Sequence, residues 1–136
     1  MKILFLCIEN AGRSQMAEGF AKKFSPPGIE IFSAGSRPAQ ALDSVAVEVM
    51  GERGIDIRAQ VPKGLEALPA ETFDLVVGMG CGDVCPTHRS RRTILLEIPN
   101  PKGQPIEAVR SIRDEIERNV RSLLSGLGES SRDNPS

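Results

Sequence analysis

The segment Cys7-Ile8-Glu9-Asn10-Ala11-Gly12-Arg13-Ser14 stands between two stretches of different period, and that junction limits what the chain can build. Ahead of it, Ile3-Leu4-Phe5-Leu6 is a continuous apolar run, short enough for a strand buried on both faces. Behind it, Met16, Phe20 and Phe24 recur at i, i+4 and i+8, the stripe of an amphipathic helix. A strand, a short loop and a helix N-terminus make an anion cradle, because unpaired amides and the positive end of the helix dipole converge on the loop. Gly12 lets backbone approach a ligand closely, Asn10 tolerates unusual dihedrals, and Arg13 offers a planar fork matched to an oxyanion. A thiol in that field is favoured as the thiolate, so Cys7 reads as a nucleophile beneath a bound tetrahedral anion.

The remaining chain alternates between the two periods. A breaker cluster, Ser25-Pro26-Pro27-Gly28, precedes a second strand at residues 29–34, and residues 35–42 read as loop. Asp43 is the expected N-cap of a helix over 44–53 that contributes Val45, Val49 and Met50 to the core and stops at Gly54. A helical turn at 65–68 ends before Pro69. Strands are expected at 73–79 and 93–98, with a loop at 99–104. A final helix begins near Pro105 and buries Val109, Ile112, Ile116, Val120, Leu123 and Leu124. Its other face, with Arg110, Arg113, Asp114, Glu117, Arg118 and Arg121, reads as solvated surface. The pattern predicts one α/β domain over residues 1–125, a four-stranded parallel sheet flanked by helices on both faces, followed by a frayed polar tail at 126–136. Ligands of such sheets bind at the carboxyl ends of strands. The Cys7 loop and the loop after the third strand, which carries Cys81 and Cys85, both fall on that edge.

Composition narrows the function classes. A net charge of −1 gives no case for nucleic acid or a membrane surface. Three cysteines are an odd number and suit a reducing compartment, where thiols serve chemistry. The first apolar run is too short for a signal peptide, and no stretch nears the roughly 20 apolar residues of a spanning helix. A cytoplasmic monomer is expected.

Cys-x5-Arg-Ser ending the first strand resembles the low-molecular-weight protein tyrosine phosphatase fold. Within that fold, Arg13-Ser14-Gln15-Met16-Ala17-Glu18-Gly19 and Gly80-Cys81-Gly82-Asp83-Val84-Cys85-Pro86 look like the thiol-dependent arsenate reductases. The resemblance implies Cys7 as nucleophile and Ser14 as a hydroxyl supporting the thiolate. It makes Arg13 and the loop amides of Ile8, Glu9, Asn10, Ala11 and Gly12 the oxyanion holders, with Asn10 bracing the loop. Glu9 is a departure, since a carboxylate at the rim repels an anion unless it points outward. Cys81 and Cys85 stand at i and i+4, and one helical turn brings such Cα atoms within the roughly 4.4–6.8 Å of a disulfide. The three thiols permit a relay: Cys7 takes arsenate, Cys81 attacks Cys7, and Cys85 attacks Cys81 to leave a disulfide. No bound cofactor or metal is expected. The reductant is an external dithiol, with thioredoxin favoured by the intramolecular pair. Two plainer readings stand beside this one: inert core cysteines, and zinc held by Cys81, Cys85 and His88, which supply only three ligands.

Two further positions carry the comparison with the family. The phosphatases place an aspartate general acid before proline where this chain has Asn100-Pro101, and Asn100 has no titratable proton. Asp83, Glu97 or Glu107 are the candidate substitutes. Some arsenate reductases of this type hold potassium through side chains matching Asn10, Glu18 and Ser33 plus an aspartate. Aligned by Ile55-Asp56-Ile57, Lys63 falls at that aspartate, so its ammonium is expected in the cation position; a solvated lysine is the plain alternative. Arsenate reduction is the leading reading. A phosphomonoesterase is the rival, although no Tyr or Trp is present to wall a phosphotyrosine ring. An oxyanion-binding or redox-sensing module without turnover is the non-enzymatic alternative.

Overall fold

A computed structural model describes residues 1–80 and 90–133, the last seven as backbone. The elements run β1 (Lys2–Cys7), α1 (Arg13–Phe24), β2 (Glu30–Gly35), α2 (Ser44–Gly51), a 3-10 turn (Leu65–Ala67), β3 (Leu75–Met79), β4 (Thr93–Leu96) and α3 (Ile106–Asp133). The four strands form one parallel sheet in the order β2-β1-β3-β4. β1 lies inside it, with Ile3, Leu4, Phe5 and Leu6 all at most 2% exposed, which is why its sequence shows no alternation.

The two faces are covered unequally. Ile3, Phe5 and Cys7 point to the side where α1, α2 and α3 pack together around Met16, Phe20, Met50, Ile112 and Ile116. Leu4 and Leu6 point to the other, where Ala34, Phe73 and Val76 form a smaller cluster closed by Leu65 and Leu68 of the 3-10 turn. Among the described residues, helical cover on that second face is this one turn.

Boundaries shift where tertiary contacts override propensity. Strands β3 and β4 are shorter than expected, because Phe73 pairs with Ser90 as an isolated bridge outside β3 and Ile98 has left the ladder. α2 ends at Gly51, and a tight turn closed by Ile55 N–H on the Met50 carbonyl carries the chain to Gly54, whose φ of +75° suits glycine. α3 continues to Asp133 rather than ending at 125. Glycines at 126 and 128 each disfavour helix by about 1 kcal/mol, but no proline interrupts the run before Pro135.

The polar face of α3 is not uniformly solvated, contrary to expectation. Arg113 is buried and donates to the Val49 carbonyl at 3.0 Å and to Glu52 at 2.7 Å. Arg110 pairs with Glu52, and Arg53 with Asp114 and Glu117, so the end of α2 is tied to α3 by charge. No helix among the described residues is long and apolar enough to cross a membrane.

Candidate active site

At the carboxyl edge of the sheet lies a cavity of about 510 Å³ with Cys7 in its lining. Cys7 ends β1 and is only 4% exposed, so its sulfur is reached from the cavity and little else. Its Sγ lies 2.9 Å from Ser14 Oγ and accepts the Asn10 backbone N–H at 3.2 Å. Asn10 Nδ2 donates to Ser14 Oγ at 2.7 Å. An amide nitrogen can only donate, so Ser14 accepts there and its own hydroxyl proton is left to point at Sγ. Two donors thus meet the sulfur, the complement of a thiolate.

The loop is held open from outside. Arg37, Ala39 and Asp43 donate backbone N–H groups to the carbonyls of Ile8, Glu9 and Ala11 at 2.8, 2.9 and 3.0 Å. In a trans peptide the next N–H points opposite to the carbonyl, so the amides of Glu9, Asn10 and Gly12 face inward. The Asn10 amide is the one that meets Sγ. The Asn10 carbonyl accepts from Gln15 Nε2 at 3.0 Å, which turns the Ala11 amide inward as well. The segment after β2, read from sequence only as loop, is therefore what orients the cradle. Gly35 is required beside it, since a Cβ there would stand 2.5 Å from the Ile8 carbonyl oxygen.

Asn10 braces the loop as expected and adopts a left-handed φ of 53°. Its Oδ1 accepts from Gln15 Nε2 and from the Lys63 backbone N–H, each at 2.9 Å. Gln15 is fully buried and in turn accepts Gln60 Nε2 on its Oε1 at 2.7 Å. Neither glutamine was singled out from sequence. For Gln15 the signal was an amide directly after Arg13-Ser14 in the first helical turn; Gln60 carried none.

Gly12 is the N-cap of α1 with no side-chain cap, and the first turn has no acid, so the helix dipole is uncompensated at the cavity. Its lack of a side chain also makes room for a protein neighbour: a Cβ would lie 3.1 Å from Pro101 Cγ. Arg13 lines the cavity, and its Nη1 donates to the carbonyls of Ile98 at 3.0 Å and Gly80 at 3.4 Å, which sets the plane of the fork. Gly80, at φ +80°, leaves the room this needs, since a Cβ would be 2.2 Å from Nη1.

The far wall is Asn100, Pro101, Lys102 and Gly103. The general-acid position thus faces the cavity and holds an amide, whose Oδ1 accepts the Lys102 N–H at 3.1 Å. Glu97 and Glu107 do not line the cavity; among the described residues its carboxylates are Glu9 and Asp43, and Asp43 Oδ1 caps α2. Glu9 is explained by its partner, Lys102, whose ammonium lies 3.2 Å from Oε2. Among the described residues, no aromatic side chain appears in the lining.

Behind the loop, Ser33 Oγ donates to Glu18 Oε1 at 2.5 Å, and Lys63 Nζ stands 4.0 Å from the same oxygen. Lys63 Nζ also donates to the Val61 carbonyl at 3.0 Å. Lys22, four residues after Glu18 and so on the same face of α1, takes Oε2 at 2.6 Å. Asn10, Glu18, Ser33 and Lys63 are therefore neighbours, Asn10 through the Lys63 backbone N–H and Glu18 through the ammonium. Cys81, Asp83, Cys85 and His88 lie outside the described residues.

Residues 2–133 match the model of a family described as low molecular weight phosphotyrosine protein phosphatase. A glutaredoxin arsenate reductase of Synechocystis sp. is 33% identical over 129 residues, covering 93% of this chain and 98% of the relative. A solved arsenate reductase in its phosphate-binding state superposes with a TM-score of 0.83 at 32% identity, over 92% of this chain and 97% of the other. A thioredoxin-dependent arsenate reductase of Corynebacterium glutamicum gives a TM-score of 0.77 at 32% identity, over 95% of this chain and 62% of the other.

Proposed function

The chain belongs to the low molecular weight phosphotyrosine protein phosphatase family, and from that premise we propose that it is an arsenate reductase. The observation that carries the reading is the floor of the cavity: Cys7 Sγ under two donors, ringed by inward amides and Arg13, opposite Asn100 where an ester hydrolase needs an acid. Relatives that share the fold at about a third identity are named arsenate reductases.

In the proposed reaction the Cys7 thiolate attacks arsenic in line and displaces one oxygen as water or hydroxide, forming a Cys7 S–As(V) bond. The amides and Arg13 hold the remaining oxygens as charge builds on them. Cys81 thiolate then attacks Cys7 sulfur. The S–As bond breaks with its electron pair going to arsenic, arsenite departs, and a Cys7–Cys81 disulfide remains. Cys85 attacks Cys81, returning Cys7 as thiolate, and an external dithiol reduces the Cys81–Cys85 bond. Loss of a carboxylic acid matters less to the first step, in which protonated arsenate supplies the proton its own departing oxygen needs to leave as water, than to expulsion of an alkoxide, whose oxygen carries no proton.

The test is steady-state arsenate reduction with NADPH, run with thioredoxin and with glutaredoxin as reductants, on wild type and Cys7→Ser, Cys81→Ser and Cys85→Ser. The expected outcome is turnover by wild type and at least a hundredfold loss in every variant. Turnover of an aryl phosphate that depends on Cys7 alone would make the protein a phosphatase instead.

A further inference from the structure

We propose that the Glu9–Lys102 ion pair is a specificity element, which disfavours substituted tetrahedral groups in the cavity relative to bare oxyanions. The inference rests on reading that cavity as an oxyanion site. Glu9 belongs to the cradle loop and Lys102 to the opposite wall, and both line the same cavity. Lys102 Nζ lies 3.2 and 3.4 Å from the two Glu9 carboxylate oxygens, so the contact spans the gap between the walls. Its ends are anchored: the Glu9 carbonyl accepts from Ala39 N–H, and Lys102 N–H is held by Asn100 Oδ1. Cys7 is 4% exposed at the floor, whereas the Glu9 and Lys102 side chains are 42% and 68% exposed, which sets the pair at the mouth.

In-line attack puts the departing oxygen opposite Sγ, and therefore toward that mouth. For an inorganic oxyanion the outward group is a single oxygen. For an ester or phosphonate it is a carbon substituent, which has to pass where the two side chains meet and part them. Pairing also explains why Glu9 is tolerated, because the ammonium offsets a charge that would otherwise repel the ligand. An exposed pair contributes little, about fivefold in an equilibrium at most, so the discrimination it gives is graded rather than absolute.

Isothermal titration of inorganic phosphate and of phenylphosphonate, both as dianions in mildly alkaline buffer, tests this on wild type, Glu9→Gln and Lys102→Met. The readout is the ratio of the two dissociation constants, in which a general gain or loss of anion attraction cancels. The expected result is a ratio about threefold to fivefold lower in both variants. Raising sodium chloride should lower the ratio in wild type and leave it flat in the variants, since salt screens an exposed pair. The salt series on wild type needs no variant to fold. A ratio unchanged in both variants and by salt, with phosphate still bound, overturns the proposal alone. Failure of phosphate to bind wild type overturns it together with the oxyanion reading.

Discussion

Around Cys7 each polar group has a direction forced by its chemistry. Asn10 Nδ2 can only donate, so Ser14 turns its proton to sulfur, and the Asn10 amide adds a second donor. Asn100 faces this site from the far wall with an amide where the family's hydrolases carry an acid. Restoring the carboxyl should therefore restore a function: Asn100→Asp is expected to raise aryl phosphate hydrolysis by about 10²-fold or more, measured as p-nitrophenol release. Behind the loop, Lys63 and Lys22 both lie beside Glu18. If the Lys63 ammonium serves in place of a bound cation, exchanging potassium for sodium should leave arsenate turnover unchanged, and Lys63→Asp should make it potassium-dependent; strong activation of wild type by potassium would refute the assignment.

The elements matter here through their ends. β1 delivers Cys7, α1 presents a bare N-terminus, and the segment leaving β2 pulls the loop carbonyls outward through Arg37, Ala39 and Asp43. The close passage at Gly35 makes that arrangement sensitive to one methyl group. Gly35→Ala places a Cβ 2.5 Å from the Ile8 oxygen, closer than any backbone contact tolerates. The variant should lose about 1–3 kcal/mol of stability in denaturant titration and most of its phosphate affinity, as the amides rotate out of register.

Across the whole molecule, α2 and α3 are joined by charge as well as by the core. Hydrogen bonds from Arg110 and then Arg113 hold the Glu52 carboxyl down from an ordinary value near 4.5 to about 2. A carboxylate depressed in the folded state stabilises it above its unfolded value and loses that contribution as pH falls through the folded one. Thermal melts of wild type should therefore fall steeply between about pH 4.5 and 2, and Glu52→Gln should show a shallower slope there with a lower midpoint at neutral pH. The same melts report Arg113, whose removal strands the Val49 carbonyl in the interior.

Sequence alone determined the parts whose signal is local and periodic. The unbroken apolar run of β1, the stripe of α1 and the Cys7–Arg13 spacing required a strand, a helix and a cradle in that order, whatever surrounded them. Asp43 announced the start of α2 through its own side-chain chemistry, and Gly54 the left-handed turn beyond its end at Gly51. Tertiary structure decided what depends on residues distant in the chain. Arg113 looked like one more surface charge until packing set it against Val49, 64 positions away. Gln60 and the amides after β2 showed no pattern, because their role is to complete hydrogen bonds begun elsewhere. Glu9 seemed misplaced until the fold brought Lys102 across from 93 residues further on. Periodicity encodes which face is buried; which partner waits on that face is known only once the sheet has closed the distance.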